Sequence, residues 1–395
     1  MLCAKKKMIS WFIGLSVFRV PISALVFDES SAFRQLLALS PLLYLILDNI
    51  LSIKTFSRDL NSFFGYLFIF GLMQILFLYF GFTIYDIGEL KIFFHTSIVF
   101  SITPFLLQRS FKEKDLREIL VKTSKCLLVL GSLFLTIEVF LIKFSFFTPR
   151  EVRMFLISDV GPSVIRVNSF LFPSAIAASG LLVSWLYLFS NAVFKKTRFT
   201  IDLMALLLVS FLAIFSSDSL YIVLVLMGMV VVTLIKGELN EGFKRKYIVV
   251  IGMVGVYFFF SIFYLGVGDK LASYFLRGHF NLMDYLPHLN ECSVKKILIN
   301  LGKRGIDSCQ EGEVKFLEPV MIFGVLPVFS YYFSGSLVIF SFIYNRIISS
   351  ELVGAVTFLL LGLHYGGADV AGYNYFFLIF VTLLTVESFS LRALE

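Results

Sequence analysis

Charge is scarce in this chain. Only 15% of its 395 residues are Asp, Glu, Lys or Arg, and 58% are hydrophobic, 48 of them Phe. Soluble chains run nearer about 45–50% apolar, so a soluble domain of this length could not hide so much apolar surface. Other absences narrow the chemistry. The nearest approach to a phosphate-binding loop, Gly237-Glu-Leu-Asn-Glu-Gly242-Phe-Lys244, has Phe where lysine must follow glycine directly, which argues against ATP-driven work by this chain alone. No Cys/His set has zinc spacing. Asp-x-Asp is missing, and the one Glu-x-Asp, Glu113 and Asp115, sits in a basic loop, so metal-assisted transfer from a nucleotide sugar has no support. Neither is there a Gly-x-Ser-x-Gly elbow.

What the chain has is apolar runs. A bilayer core takes about twenty apolar residues as a helix, and about twelve such stretches follow one another: 8–27, 36–53, 63–83, 91–108, 125–144, 168–192, 199–216, 219–236, 248–267, 320–345, 351–366 and 372–389. Lys5, Lys6 and Lys7 precede the first. That run is too long for a signal peptide and lacks a cleavage site, so it reads as a first span starting in the cytoplasm. The expected fold is an all-α polytopic integral membrane protein with one large periplasmic loop. Three segments follow: helices 1–9 with an outer loop at 145–167 (residues 1–267), the large loop (268–317), and helices 10–12 (318–395).

Loop charge orients the helices independently. The loops expected inside carry Lys54 and Arg58; Arg109, Lys112, Lys114, Arg117, Lys122 and Lys125; Lys195, Lys196 and Arg198; Lys236, Lys244, Arg245 and Lys246; and Arg346 and Arg392. The short outer loops, such as Thr83–Glu89 and Gly366–Gly372, are poor in Lys and Arg. This alternation obeys the positive-inside rule with both termini cytoplasmic. The net charge of +7 is that signal plus anionic headgroup contact, and it needs no nucleic-acid partner.

Two outer segments hold the polar chemistry. The loop before the sixth span carries Arg150, Arg153 and Arg166, against the positive-inside trend. Guanidinium groups suit phosphate and pyrophosphate oxygens, although Glu151, Asp159 or headgroups could also pair with them. The large loop carries Arg277 after a short apolar run, and His288, Glu313 and Glu318 as groups able to act as a base. His364, at the outer end of span eleven beside Tyr365, is a further candidate, with a structural hydrogen bond as the competing role. Cys292 and Cys309 both lie in the large loop, either as two free thiols or as a disulfide, which would persist there. It would close about 16 residues and stabilise by about 3 kcal/mol. Arg19 and Glu138 are the main charges within spans.

The order of these features resembles the O-antigen polymerase and ligase superfamily, including the Wzy-type polymerases. Arg166 precedes Asn168 and Pro173-Ser174; Ser216-Ser217-Asp218-Ser219 follows; the large loop opens at Arg277 and closes on Glu318-Pro-Val-Met-Ile-Phe-Gly324. Arg150-x10-Gly161 is similar to an arginine-rich outer-loop motif of some polymerases. The resemblance implies a C-type membrane glycosyltransferase that is inverting and metal-independent, with no cofactor. It implies undecaprenyl-pyrophosphate-linked glycans as substrates, the bilayer and a chain-length regulator as partners, and the bacterial inner membrane as location. It assigns pyrophosphate contact to Arg166 and Arg277. Ligases place a His-Asn pair about eleven residues before the glycine matching Gly324, where this chain has Glu313-Val-Lys315. That departure favours polymerase over ligase, and leaves the base open among Glu313, Glu318, His288 and His364. A flippase or other transporter is the competing class, but no repeat between halves supports it.

Overall fold

A computed structural model describes residues 2–19, 22, 31–51, 60, 62–81, 93–143, 155–156, 165–166, 174–195, 200–217, 228–229, 232, 326, 328–345, 348–365 and 371–392. These residues are mostly helical. In chain order the helices are α1 (Leu2–Val17), α2 (Ser31–Ile50), α3 (Phe63–Gly81), α4 (Val99–Ser110), α5 (Glu113–Lys143), α6 (Ser174–Phe194), α7 (Ile201–Ser217), α8 (Phe329–Asn345), α9 (Ser350–Tyr365) and α10 (Ala371–Arg392). A π-helical turn, Phe94–Ile98, leads into α4. One feature departs from an all-α expectation: β1 (Phe155–Leu156) pairs antiparallel with β2 (Ile165–Arg166).

Local chemistry sets several helix boundaries. The Thr200 hydroxyl accepts from the Leu203 amide at 3.3 Å at the start of α7. Ser349 accepts from the Leu352 amide at 3.2 Å at the start of α9. Both satisfy a backbone donor that the first helical turn leaves without a partner. Glu113 and Asp115 occupy the first turn of α5, where the positive end of the helix dipole favours carboxylates.

Among the described residues, no helix is long and apolar enough to cross a membrane. Polar ends shorten the apolar stretches: α1 carries Lys5, Lys6 and Lys7 within its 16 residues, and α2 holds Arg34 and Gln35 near one end and Asp48 and Asn49 near the other. α5 has 31 residues, about 46 Å at the usual rise, but its opening turns are charged. The large loop at 268–317 lies outside the described residues.

The chain divides into two units. The first comprises Met1–Thr123, Asn281–Ile347 and Phe358–Glu395. At its centre, α4 packs against α2, α3, α8 and α10. Every residue from Val99 to Leu107 is buried, as expected of a helix enclosed on all sides. Phe100 meets Tyr331 and Phe377 edgewise and at a tilt, and Phe358 stacks on Phe377 at 4.4 Å between ring centres. The second unit comprises Ser124–Phe280 and Ile348–Thr357. Here α6 packs on α7. The fully buried Trp185 donates its indole N–H to the Leu207 carbonyl at 2.8 Å.

Candidate functional site

Of the residues expected to carry chemistry, two fall in described segments. Arg166 ends β2, opposite Phe155 in the ladder, and β2 lies against α7. The pairing holds the Arg166 backbone extended and ties it to the chain eleven residues earlier. His364 lies in the last turn of α9. Arg150, Arg153, Arg277, His288, Glu313, Glu318, Cys292 and Cys309 lie outside the described residues. Among the described residues, Arg166 belongs to the second unit and His364 to the first.

The structure brings together polar groups that sequence reasoning passed over. In the first unit, Gln74 of α3, Ser101 of α4 and Ser330 of α8 form a buried ring. The Gln74 amide donates to the Ser330 hydroxyl at 3.4 Å, Ser330 and Ser101 hydroxyls share a short hydrogen bond, and Ser101 donates to the Gln74 carbonyl oxygen at 3.2 Å. The bonds to the two serines set the orientation of the Gln74 amide. The Ser97 carbonyl, at 2.7 Å, competes with Gln74 for the single Ser101 hydroxyl proton. The π-helical turn beside this ring contains buried His95, Thr96 and Ser97. Such turns widen a helix by one residue and often mark functional sites. The sequence signal was present: a lone glutamine inside Phe63–Gly81, and serines four apart on the next helix.

A second cluster joins helix ends in the same unit. Lys6 of α1 is buried and donates to Asp115 at 2.9 Å and Glu118 at 2.8 Å, both on α5. Lys5 pairs with Asp48 of α2 at 2.5 Å. Arg117 of α5 pairs with Glu113 at 2.9 Å and with Glu387 of α10. The hydrogen bonds to Glu118 and then Asp115 raise the Lys6 pKa above its ordinary value. The same bonds from Lys6 lower those of Asp115 and Glu118. All three groups are thus held charged near neutrality.

In the second unit, Glu351 of α9 is 2% exposed. It accepts from Ser350 at 2.9 Å, and Lys195 stands 3.9 Å away. The first turn of α9 supplies further positive field. This is an anchoring arrangement: the carboxylate is enclosed by its own helix start and one lysine.

The chain matches no family model, no curated protein and no solved structure. Its functional reading therefore stands on residues and geometry.

Proposed function

We propose that this protein is a polytopic inner-membrane glycosyltransferase of about twelve helices. It polymerises undecaprenyl-pyrophosphate-linked repeat units into an O-antigen-type polysaccharide on the periplasmic face. The observation that carries the reading is the ion-pair cluster of Lys5, Lys6, Asp48, Asp115, Arg117 and Glu387. It joins the start of α1, the end of α2, the start of α5 and the end of α10. Loop charge assigns those same four ends to the cytoplasm, and their meeting in one cluster agrees with that orientation. At the other end, α1 finishes against the start of α10 through Val17 and Gly372, as the same orientation requires.

Exposed side chains support a lipid surround. Leu43 and Leu47 on α2, Tyr66 and Met73 on α3, and Ile339 and Ile343 on α8 are all exposed apolar residues. Runs of exposed apolar side chains on three helices suit a lipid surround better than water. With this orientation the arginine-bearing loop and the large loop both open to the periplasm. ATP and nucleotide sugars are scarce substrates there, and lipid-linked glycans fit.

In this reaction the acceptor hydroxyl oxygen attacks the anomeric carbon of the lipid-linked glycan. The bond from that carbon to the pyrophosphate oxygen breaks, and undecaprenyl pyrophosphate leaves with the bonding electrons. Arg166 and Arg277, together with Arg150 and Arg153, would stabilise the charge that develops on the leaving group. The hydroxyl proton passes to a base drawn from Glu313, Glu318, His288 and His364.

Deletion followed by glycan profiling on a gel tests the proposal. Loss of the long ladder with one repeat unit retained is expected. Complete loss of capped lipid would instead point to a ligase or flippase, and an unchanged profile would sink all three readings.

A further inference from the structure

The buried ring of the first unit has more oxygen contacts than protons to fill them. Three oxygens surround the Ser101 hydroxyl: the Gln74 carbonyl oxygen at 3.2 Å, the Ser97 carbonyl at 2.7 Å and the Ser330 hydroxyl. Only the two serine hydroxyls can supply protons to these contacts, because the Gln74 amide nitrogen points to Ser330 at 3.4 Å. At least one pair of oxygens therefore faces without a proton between them. Gln74, Ser97, Ser101 and Ser330 are all buried, so bulk water does not relieve that contact.

The backbone adds to the excess. Pro104 lies inside α4 and has no N–H, so the helix cannot close its usual bond onto the Phe100 carbonyl. Ser97, Ser101 and Pro104 share one face of α4 at helical spacing, and the carbonyl directed at residue 104 opens on the side of the ring. Just before Ser101, the π-helical turn Phe94–Ile98 takes the chain out of ordinary α register. Interrupted helices at membrane depth are tolerated where protein encloses them, and their carbonyls serve as ligands for small cations.

No fixed positive charge competes for these oxygens from the helices that supply them. α3 and α8 contain no Asp, Glu, Lys or Arg. On α4 the one such residue is Arg109 in the last turn, about 12 Å along the axis from Ser101 at the usual rise. Divalent ions favour carboxylate ligands, and among the described residues no three His, Cys, Asp or Glu converge. Neutral carbonyl and hydroxyl oxygens alone suit a singly charged ion.

We propose that Gln74, Ser101 and Ser330, with the α4 carbonyls of Ser97 and Phe100, bind a monovalent alkali cation in the core of the first unit. The ion occupies the contact that no proton fills, and its ligands, drawn from three helices, clamp α3, α4 and α8 together. Such an ion would bind whether or not the protein polymerises glycans.

Sodium chloride is the probe, exchanged for choline chloride at constant ionic strength on the full-length protein in phosphatidylcholine nanodiscs. Choline is too bulky for the gap, and thermal unfolding is the readout. A saturable rise in the wild-type unfolding temperature with Na+ is expected. Ser101→Ala should raise the half-saturating Na+ concentration about tenfold, and Ser330→Ala should do the same where Ser101→Ala fails to fold. Ser336→Ala is the control. Its hydroxyl is exposed and bonds the Tyr332 carbonyl of its own helix at 2.9 Å, so this variant should keep the wild-type response. A wild-type unfolding temperature indifferent to Na+ would overturn the site. Equal Na+ responses in the wild type, Ser101→Ala and Ser330→Ala would overturn it too, leaving only a general salt effect.

Discussion

Lys6 and Asp115 meet at 2.9 Å across 109 residues of chain, and Glu118 completes a three-charge knot at 2.8 Å. The knot ties α1 to the start of α5 at the end of the first unit where Asp48 of α2 pairs with Lys5 and Glu387 of α10 pairs with Arg117.

The knot makes stability depend on pH in a definite way. The Lys6 pKa is raised, so its contribution is complete below the ordinary lysine value and is lost as pH rises through the folded value. Those of Asp115 and Glu118 are lowered, so their contributions are complete above ordinary carboxylate values and are lost as pH falls through the folded ones. A plateau between about pH 5 and about pH 10 is expected, with declines on both sides. Lys6→Met should lower the melting temperature at neutral pH and flatten the acid decline, as read by thermal unfolding in detergent from acid to neutral buffer. An acid decline as steep as that of the wild type would show that other groups dominate it.

Arg166→Ala and Arg277→Ala should each abolish the polysaccharide ladder at normal expression, while Lys295→Ala should leave it intact. Complementation of a deletion strain, with membrane protein quantified alongside, measures this. A full ladder from Arg166→Ala would remove the pyrophosphate role assigned to that residue.

Two glycines should answer differently to the same change. A methyl group at Gly372 must displace the Val17 backbone, whereas one at Gly335 would meet only the flexible Leu359 terminus at 3.4 Å. Overpacking against backbone costs about 1–3 kcal/mol. Gly372→Ala should therefore unfold at clearly lower temperature than the wild type and Gly335→Ala close to it. Matching melting temperatures for the two variants would refute the close approach of α1 and α10.

The Gln74–Ser101–Ser330 ring invites a double-mutant cycle. Polar bonds between helices in membranes average about 0.6 kcal/mol. Gln74→Leu and Ser101→Ala should couple by about that amount or more, because removing either opens the cycle. Additive effects would mean the three groups act separately.

Much of the helical architecture was legible in sequence, because long apolar runs favour helices wherever they are buried. Nine described helices, α1 to α4 and α6 to α10, fall largely on expected spans. α5 begins twelve residues earlier than the expected 125–144, since Glu113 and Asp115 favour a helix start that an apolar count ignores. The β1–β2 pairing escaped notice because two-residue strands carry no periodicity to read. The site was less legible. Gln74, His95 and Tyr375 each stood in an apolar run, where one polar residue does not announce its neighbours. Gln74 and Ser330 meet across 256 residues of chain, a separation that no local pattern spans.

The sequence by itself determined that the chain is apolar, predominantly helical and patterned in loop charge. These are properties of single residues and short windows, and they need no folded partner. Tertiary structure alone decided which polar groups meet: Lys6 with Asp115 and Glu118, and Gln74 with Ser101 and Ser330. Such meetings depend on how distant helices pack, and close packing leaves a buried polar group dependent on the few neighbours that reach it.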